Sequence, residues 1–238
     1  MLRHRDGVSE IAAGSRHLGL QDFENAGIRV AGRRFGARDL AFAAGDPDGQ
    51  LYFLLEGTVR LYKIYGEYKE ATVALLKDRG VFGELGLDEG GRQRCFAEAV
   101  TEARVAVVRK PVLAEAVRRH PAFAGKLFFS FSDRLRQSDE TIESLLNREV
   151  AARLGTLLLN LGERFGETTA SGTVLNVRLT HQDLANMIVS TREAVSKVMS
   201  EFQRDGLIEV RKRRICLTPQ LAEDVHNNPL PRTTQAAL

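Results

Sequence analysis

The chain has 238 residues, 43% of them hydrophobic and 27% charged, which is enough apolar material for one large or two modest packed domains and excludes wholesale disorder. No apolar run approaches the roughly 18 residues a membrane helix needs, and the opening stretch MLRHRDGVSEIAAGSR lacks the apolar centre of a signal peptide, so a cytoplasmic protein is the expectation. The net charge of +3 is compatible with nucleic acid, and Cys95 and Cys216 are too few and too far apart for a disulfide framework, a zinc finger or a cysteine-ligated iron–sulfur cluster.

Residues 1 to about 25 show no periodicity and read as an extension with one short helix. From about 28 to 109 the texture is β: IRVAGRRF, LYFLLEGTVRLYKI, EATVALLKD, GVFGELGL and RCFAEAVTEARVAVVRK are β-rich runs separated by Gly, Asp and Pro. Many short strands at this spacing predict a sandwich or barrel. GDPDG at 45–49 is a turn by its chemistry, and Gly57 is expected inside a hairpin.

The texture becomes helical at Pro111, with Pro121 opening a long segment. Phe128, Leu135 and Ile142 lie seven apart, and Phe131, Ser138 and Leu145 form a second such series. Together they make an a/d stripe, which predicts a seam with a partner helix; the plainer reading is a long helix lying on its own domain. Asp133, Arg134, Arg136, Glu140 and Glu143 read as its charged flanks. Ser138 is a polar residue within the stripe, either a tolerated small residue or one that reaches a ligand. GETTASG at 166–172 reads as a linker or turn, and NNPLPRTTQAAL as a disordered tail.

Between them lies a compact unit. Thr180 is a good N-cap, with Asp183 three residues on, and Leu184, Met187 and Ile188 give the helix that follows an apolar face. After a short break at Val189 and Ser190, a second helix runs from about 191 to 205 and stops at Gly206. Two helices joined so closely make a helix-turn-helix. On a helical wheel Val195, Val198, Met199 and Phe202 share the core side, while Arg192, Glu193, Ser196 and Lys197 crowd the opposite side near the N-terminus. A recognition helix offers that end to the major groove: Arg forks onto guanine, Glu accepts from cytosine, Lys meets guanine or phosphate, and Ser196 is short enough for close approach. The competing reading is a capping box, Ser190-x-x-Glu193, on a solvated helix. The hairpin IEVRKRRICL, with Arg211, Lys212, Arg213 and Arg214 at its tip, decides for DNA, because a helix-turn-helix followed by a basic hairpin is a winged helix. Thr180 and His181, at the start of the first helix, complete the expected DNA-facing set.

LTHQDLANMIVSTREAVSKVMSEFQRDGLIEV resembles the helix-turn-helix of the cyclic-AMP receptor protein/FNR (CRP/FNR) family of bacterial transcription regulators. Thr191 fills the first position of the family's S-R-E-x-V-x-[KR] core, and Arg192, Glu193 and Lys197 fall on its base-reading positions. The resemblance covers residues 28 to about 220. It implies an α+β chain: an extension (1–27), a cyclic-nucleotide-binding β-roll, or jelly roll (28–120), a long dimerisation helix (121–150), a winged helix-turn-helix (151–225) and a tail (226–238). It implies a homodimer, a palindromic site related to TGTGA–N6–TCACA, and contact with RNA polymerase.

In VFGELGLDEGGRQRCFAEAV, Gly83 and Gly86 bracket Glu84, and Arg94 follows ten residues later. Backbone amides and Arg94 suit a phosphate and Glu84 a ribose hydroxyl, although a β-turn beside a solvated Arg is the plainer reading. The segment resembles a phosphate-binding cassette, in which Gly83, Glu84, Leu85 and Arg94 match the positions that hold cyclic AMP. Cys95 stands where a hydroxyl residue usually bonds the phosphate, and a thiol is a weaker donor. Ser138 matches the adenine contact of the dimer helix, and Asp139 replaces a small hydroxyl residue beside it. The two departures leave open a regulator that needs no ligand or answers another one. Glu84 argues against the 2-oxoglutarate-sensing branch; no metal is expected, and no His is placed to hold haem. An enzyme built on Glu84, Arg94 and His120 is the rival class, without any nucleotide-hydrolase, serine-hydrolase or zinc-protease motif to support it.

Overall fold

The computed structural model describes residues 17–30, 32–67, 69–77, 79–84, 91–145, 149–170, 172–211 and 213–227. Two units divide the chain: Met1–Lys63 with Val73–Ser138, and Ile64–Thr72 with Asp139–Leu238. The tail beyond 227, Leu85 and Lys212 lie outside the described residues. Among those described, no helix is long and apolar enough to cross a membrane.

The first unit opens with a short helix, α1 (Leu20–Asn25). Among the described residues eight strands follow, with the end of β4 and the start of β5 falling in the second unit: β1 (Gly32–Phe35), β2 (Leu40–Phe42), β3 (Gln50–Glu56), β4 (Thr58–Tyr65), β5 (Lys69–Lys77), β6 (Val81–Phe82), β7 (Phe96–Ala99) and β8 (Ala103–Arg109). They build two four-stranded sheets, ordered β1-β8-β3-β6 and β2-β7-β4-β5. The run LYFLL in β3 is apolar at consecutive positions because both of its faces are covered. Tyr52 and Leu54 join Leu61, Phe82, Ala97 and Val105 in one core. Leu51 and Phe53 face a second core with Phe23, Leu113, Phe123 and Leu127. There Phe23 meets Phe53 and Phe123 edge-on, with centroids 4.7 and 5.4 Å apart. Each such side chain, fully buried, contributes roughly 1.5–3 kcal/mol relative to exposure.

Two turns depend on glycine at positive φ. At 45–49, Gly45 takes φ +94° and the Asp46 carboxylate accepts from the Ala43 amide at 2.8 Å. Gly57 corrects the hairpin expectation. Its φ is also +94°, but β3 and β4 belong to different sheets, so Gly57 turns the chain from one sheet to the other. A Cβ there would collide with the Glu102 carbonyl.

Two helices follow, α2 (Lys110–Arg119) and α3 (Pro121–Leu145). Proline opens α3 at no cost, because the first amide of a helix has no partner within it. The two heptad series on α3 separate. Phe128, Leu135 and Ile142 are 68%, 64% and 60% exposed, whereas Phe131 packs against the second core. The free apolar stripe is therefore narrower than the full a/d pattern. The division between the units falls within α3, after Ser138.

The second unit contains α4 (Val150–Phe165), β9 (Gly166–Thr169), β10 (Gly172–Leu175), α5 (His181–Met187), α6 (Arg192–Arg204), β11 (Ile208–Arg211), β12 (Arg214–Leu217) and α7 (Pro219–Asn227). The linker reading of 166–172 is overturned. Residues 166–169 and 172–175 pair as an antiparallel hairpin, in the sheet order β11-β12-β10-β9. Its β-branched residues Thr168, Thr169, Thr173 and Val174 favour strand over loop. Leu154, Leu158, Leu161 and Phe165 of α4 are buried, as are Leu184, Val195, Met199, Phe202, Leu217 and Leu221.

Candidate DNA-reading face and effector cassette

α5 begins with a reciprocal cap. The Thr180 hydroxyl accepts from the Asp183 amide at 3.1 Å, and the Asp183 carboxylate accepts from the Thr180 amide at 2.8 Å and from its hydroxyl at 2.7 Å. The helix ends in a Schellman pattern: the Ser190 amide donates to the Ala185 carbonyl at 2.9 Å, and Val189 takes φ +50°. Glycine normally occupies that left-handed position, so a β-branched valine there is strained.

α6 is capped by Thr191, whose hydroxyl accepts from the Ala194 amide at 3.2 Å. The Ser190–Glu193 capping box is therefore not formed, and Glu193 is exposed. Arg192 and Lys197 are exposed beside it, while Val195, Val198, Met199 and Phe202 are buried. Lys197 Nζ approaches Glu201 at 4.0 Å, a loose solvent-facing contact. Ser196 is half-buried, with its Oγ 2.8 Å from His181 Nδ1. α6 stops at Gly206, φ +73°, where the Leu207 amide donates to the Phe202 carbonyl at 2.9 Å.

β11 and β12 form the wing, with Arg211 paired to Arg214 across its end and Arg213 at φ +62°. Arg211, Arg213 and Arg214 are exposed; Arg211 pairs with Glu209 at 2.5 Å, and Arg214 donates to Asn176 Oδ1 at 3.4 Å. A wing with these exposed cations suits phosphates.

In the first unit Gly83 takes φ +101°, and a Cβ there would lie 3.2 Å from the Tyr52 ring, so this position demands glycine. Glu84 and Arg94 are 3.9 Å apart, and the Arg94 side chain is 82% exposed, available to an anion. Cys95 is buried, and burial pushes its thiol above the ordinary range, against the lowering pull of Arg134; Glu84 reinforces the rise and Lys63 opposes it. The thiol is therefore protonated at neutral pH.

Arg134 is the residue that sequence reasoning misplaced. It belongs to the cassette and is no solvated flank. Its guanidinium stands 3.5 Å from the Val81 and Gly83 carbonyls, and burial pulls it below its ordinary range, opposed by Cys95 and Glu84. It still carries its charge at neutral pH. The available signal was its place one helical turn before Ser138, on the same face of α3. Ser138 itself keeps its hydroxyl on its own helix, donating to the Arg134 carbonyl at 3.1 Å, and Asp139 is exposed.

The segment entering Cys95 is pinned to the 45–49 turn. Gln93 donates to the Asp46 carbonyl and Gly45 to the Gln93 carbonyl, both at 2.8 Å, while the Arg92 side chain donates to the Gly45 carbonyl at 2.7 Å. Behind the turn, Asp48 pairs with the fully buried Lys110 at 3.1 Å. Among the described residues, no group of acidic, histidine or cysteine side chains is placed to hold a metal.

A β-roll with a cassette and a winged helix with an exposed Arg-Glu-Lys face define a DNA-binding regulator with a sensor domain. Comparison with known proteins agrees. The Crp-like helix-turn-helix domain matches residues 152–222, and the cyclic nucleotide-binding domain matches residues 32–120. The chain is 34% identical over 176 residues to a global nitrogen regulator of Synechocystis, covering 73% of this chain and 78% of that one. It is 26% identical over 179 residues to a CRP-like cAMP-activated global transcriptional regulator of Mycobacterium tuberculosis, covering 74% and 79%. A CRP-family transcriptional regulator of Thermus thermophilus superposes with a TM-score of 0.70 at 27% identity, over 82% of this chain and 96% of that one. The protein belongs to the CRP/FNR family of transcription regulators.

Proposed function

We propose that the protein is a cytoplasmic homodimer that reads a palindrome related to TGTGA–N6–TCACA through two copies of α6, under the control of cyclic AMP at the cassette. The observation that carries this reading is the exposed Arg192–Glu193–Lys197 face, which Thr191 leaves free by capping the helix itself. Arg192 and Lys197 supply donors for guanine, and Glu193 an acceptor for cytosine. Thr180, His181, Arg211, Lys212 and Arg213 address the DNA backbone. A second copy covers Phe128, Leu135 and Ile142, which stand in a row on α3, largely exposed. Dimers bound at promoters then meet RNA polymerase.

For the effector, Gly83, Glu84, Leu85 and Arg94 receive the ribose and phosphate, with Arg134 supplying a second cation, while Ser138 and Asp139 face the purine. Cyclic AMP shifts a two-state dimer only as far as it binds the DNA-competent state better. A second reading, a regulator that needs no ligand or answers another, is favoured by one observation: Cys95 is buried, and its thiol is a weaker donor to a phosphate than a hydroxyl. A gel-shift titration on the palindrome at fixed salt, with and without saturating cyclic AMP, separates the two. The first reading expects a tightening of about tenfold, or 1.4 kcal/mol of coupling. Specific binding that ignores cyclic AMP supports the second.

A further inference from the structure

β4 and β7 run antiparallel in a register that pairs Arg60 with Glu98, Leu61 with Ala97 and Tyr62 with Phe96. Side chains on both faces agree with it. On one face Arg60 and Glu98 form an ion pair at 3.1 Å, and the Tyr62 and Phe96 rings stack with centroids 5.1 Å apart. On the other, Leu61 and Ala97 enter the core that Cys95 shares. Successive strand residues alternate between faces, so one step further along the register sets Lys63 directly across from Cys95, on the face that Cys95 uses. Opposed Cβ atoms in such a pair lie about 4.5–5.5 Å apart.

Lys63 is half-buried, and among the described residues its ammonium has neither an ion pair nor a hydrogen bond. After burial itself, the groups that act on the Cys95 thiol are Arg134, Glu84 and Lys63. Arg134 is met by the Val81 and Gly83 carbonyls, and Arg94 by Glu84 at 3.9 Å, which leaves Lys63 as the unanswered cation of this cluster. Withdrawing a charge from water without a partner costs free energy that an arriving anion recovers.

Resting on the effector cassette proposed above, we infer that Lys63 is an anion-binding residue of that cassette, its ammonium donating to the ligand's phosphate where the Cys95 thiol donates only weakly. A thiol is a weak donor, whereas an ammonium carries three protons and a full charge. Its flexible four-carbon stem lets it reach from one strand past the other. The facing strand thus supplies the donor that position 95 lacks.

Calorimetric titration of the full-length protein with cyclic AMP tests this in the parent, Lys63→Met, Cys95→Ser and the double variant. Lys63→Met is expected to weaken binding about tenfold or more, the loss of one hydrogen bond to a charged group. Cys95→Ser should tighten binding in the Lys63→Met background by about threefold or more, and by less where Lys63 is present, because both groups serve one phosphate. That rescue also shows that Lys63→Met folds. Lys63→Met binding as the parent does, or Cys95→Ser gaining equally in both backgrounds, overturns the inference. A parent that binds no cyclic AMP sinks the effector reading instead, and inorganic phosphate then decides on Lys63. In millimolar phosphate, against chloride of equal ionic strength, the thermal midpoint of the parent should rise and that of Lys63→Met should stay. Equal shifts in the two, or none in the parent, overturn the inference.

Discussion

Arg192, Glu193 and Lys197 stand in solvent on α6, whereas Glu84, Cys95 and Arg134 of the cassette bear on one another's charge. A reading face must be free to meet a rigid partner, so its side chains are held at their backbones by caps, and each can be removed alone. The cassette groups share one another's field, and a change at one of them is felt by the others. Substitutions in α6 should therefore alter recognition one contact at a time, and substitutions around the cassette should alter several properties together.

The largest effect expected on the cassette side comes from its foundation. Lys110→Met leaves Asp48 buried without its cation and is expected to cost about 3–5 kcal/mol, read from denaturant unfolding. Adding Asp48→Leu should restore most of that loss, since replacing both members of a buried pair by apolar groups is close to neutral. Next comes the seam. Leu135→Asp places a charge in the exposed α3 stripe. Sedimentation should then show a monomer, with DNA affinity down by about 100-fold or more as bivalence is lost. Arg134→Leu should weaken cyclic-AMP binding by about tenfold or more in calorimetric titration, the loss of one charge-assisted hydrogen bond, while ligand-free DNA binding stays as it was. If DNA binding falls equally, the separation between the two regions fails. The smallest effect is a gain: Val189→Gly relieves the left-handed strain in the helix-turn-helix and should stabilise the protein by about 1 kcal/mol, read as a raised denaturant midpoint.

The elements that could be read in advance were those whose signals are local. The Thr180 cap, the Gly206 stop and most of the β-rich runs depend on residues within a few positions of each other and sit where their chemistry put them, although only Gly32–Phe35 of IRVAGRRF and Val81–Phe82 of GVFGELGL are strand, residues 85–87 lying outside those described. What escaped depended on distant partners. Gly57 looks the same in a hairpin as in a corner between sheets, and only the pairing of β3 with β8 and of β4 with β7 distinguishes them. The 166–172 segment is rich in turn residues, and its pairing with β12 through β10 makes it a strand pair. α7 went unread because it is only nine residues long and follows directly on the last strand; Leu221, fully buried, is what docks it. Arg134 looked like a seam flank because heptad counting assigns every charge beside a stripe to solvent. The Thr191 cap was hidden by Ser190, an equally good cap one residue earlier.

The most direct test of the central claim is equilibrium binding to the palindrome at one salt concentration, comparing the protein with its Arg192→Ala/Glu193→Ala double variant, with cyclic AMP present in both. The account predicts that the parent binds the palindrome far more tightly than a scrambled duplex. It also predicts that the double variant loses that preference while keeping the salt-sensitive, sequence-independent binding of its wing. A double variant that still prefers the palindrome as strongly as the parent would contradict it.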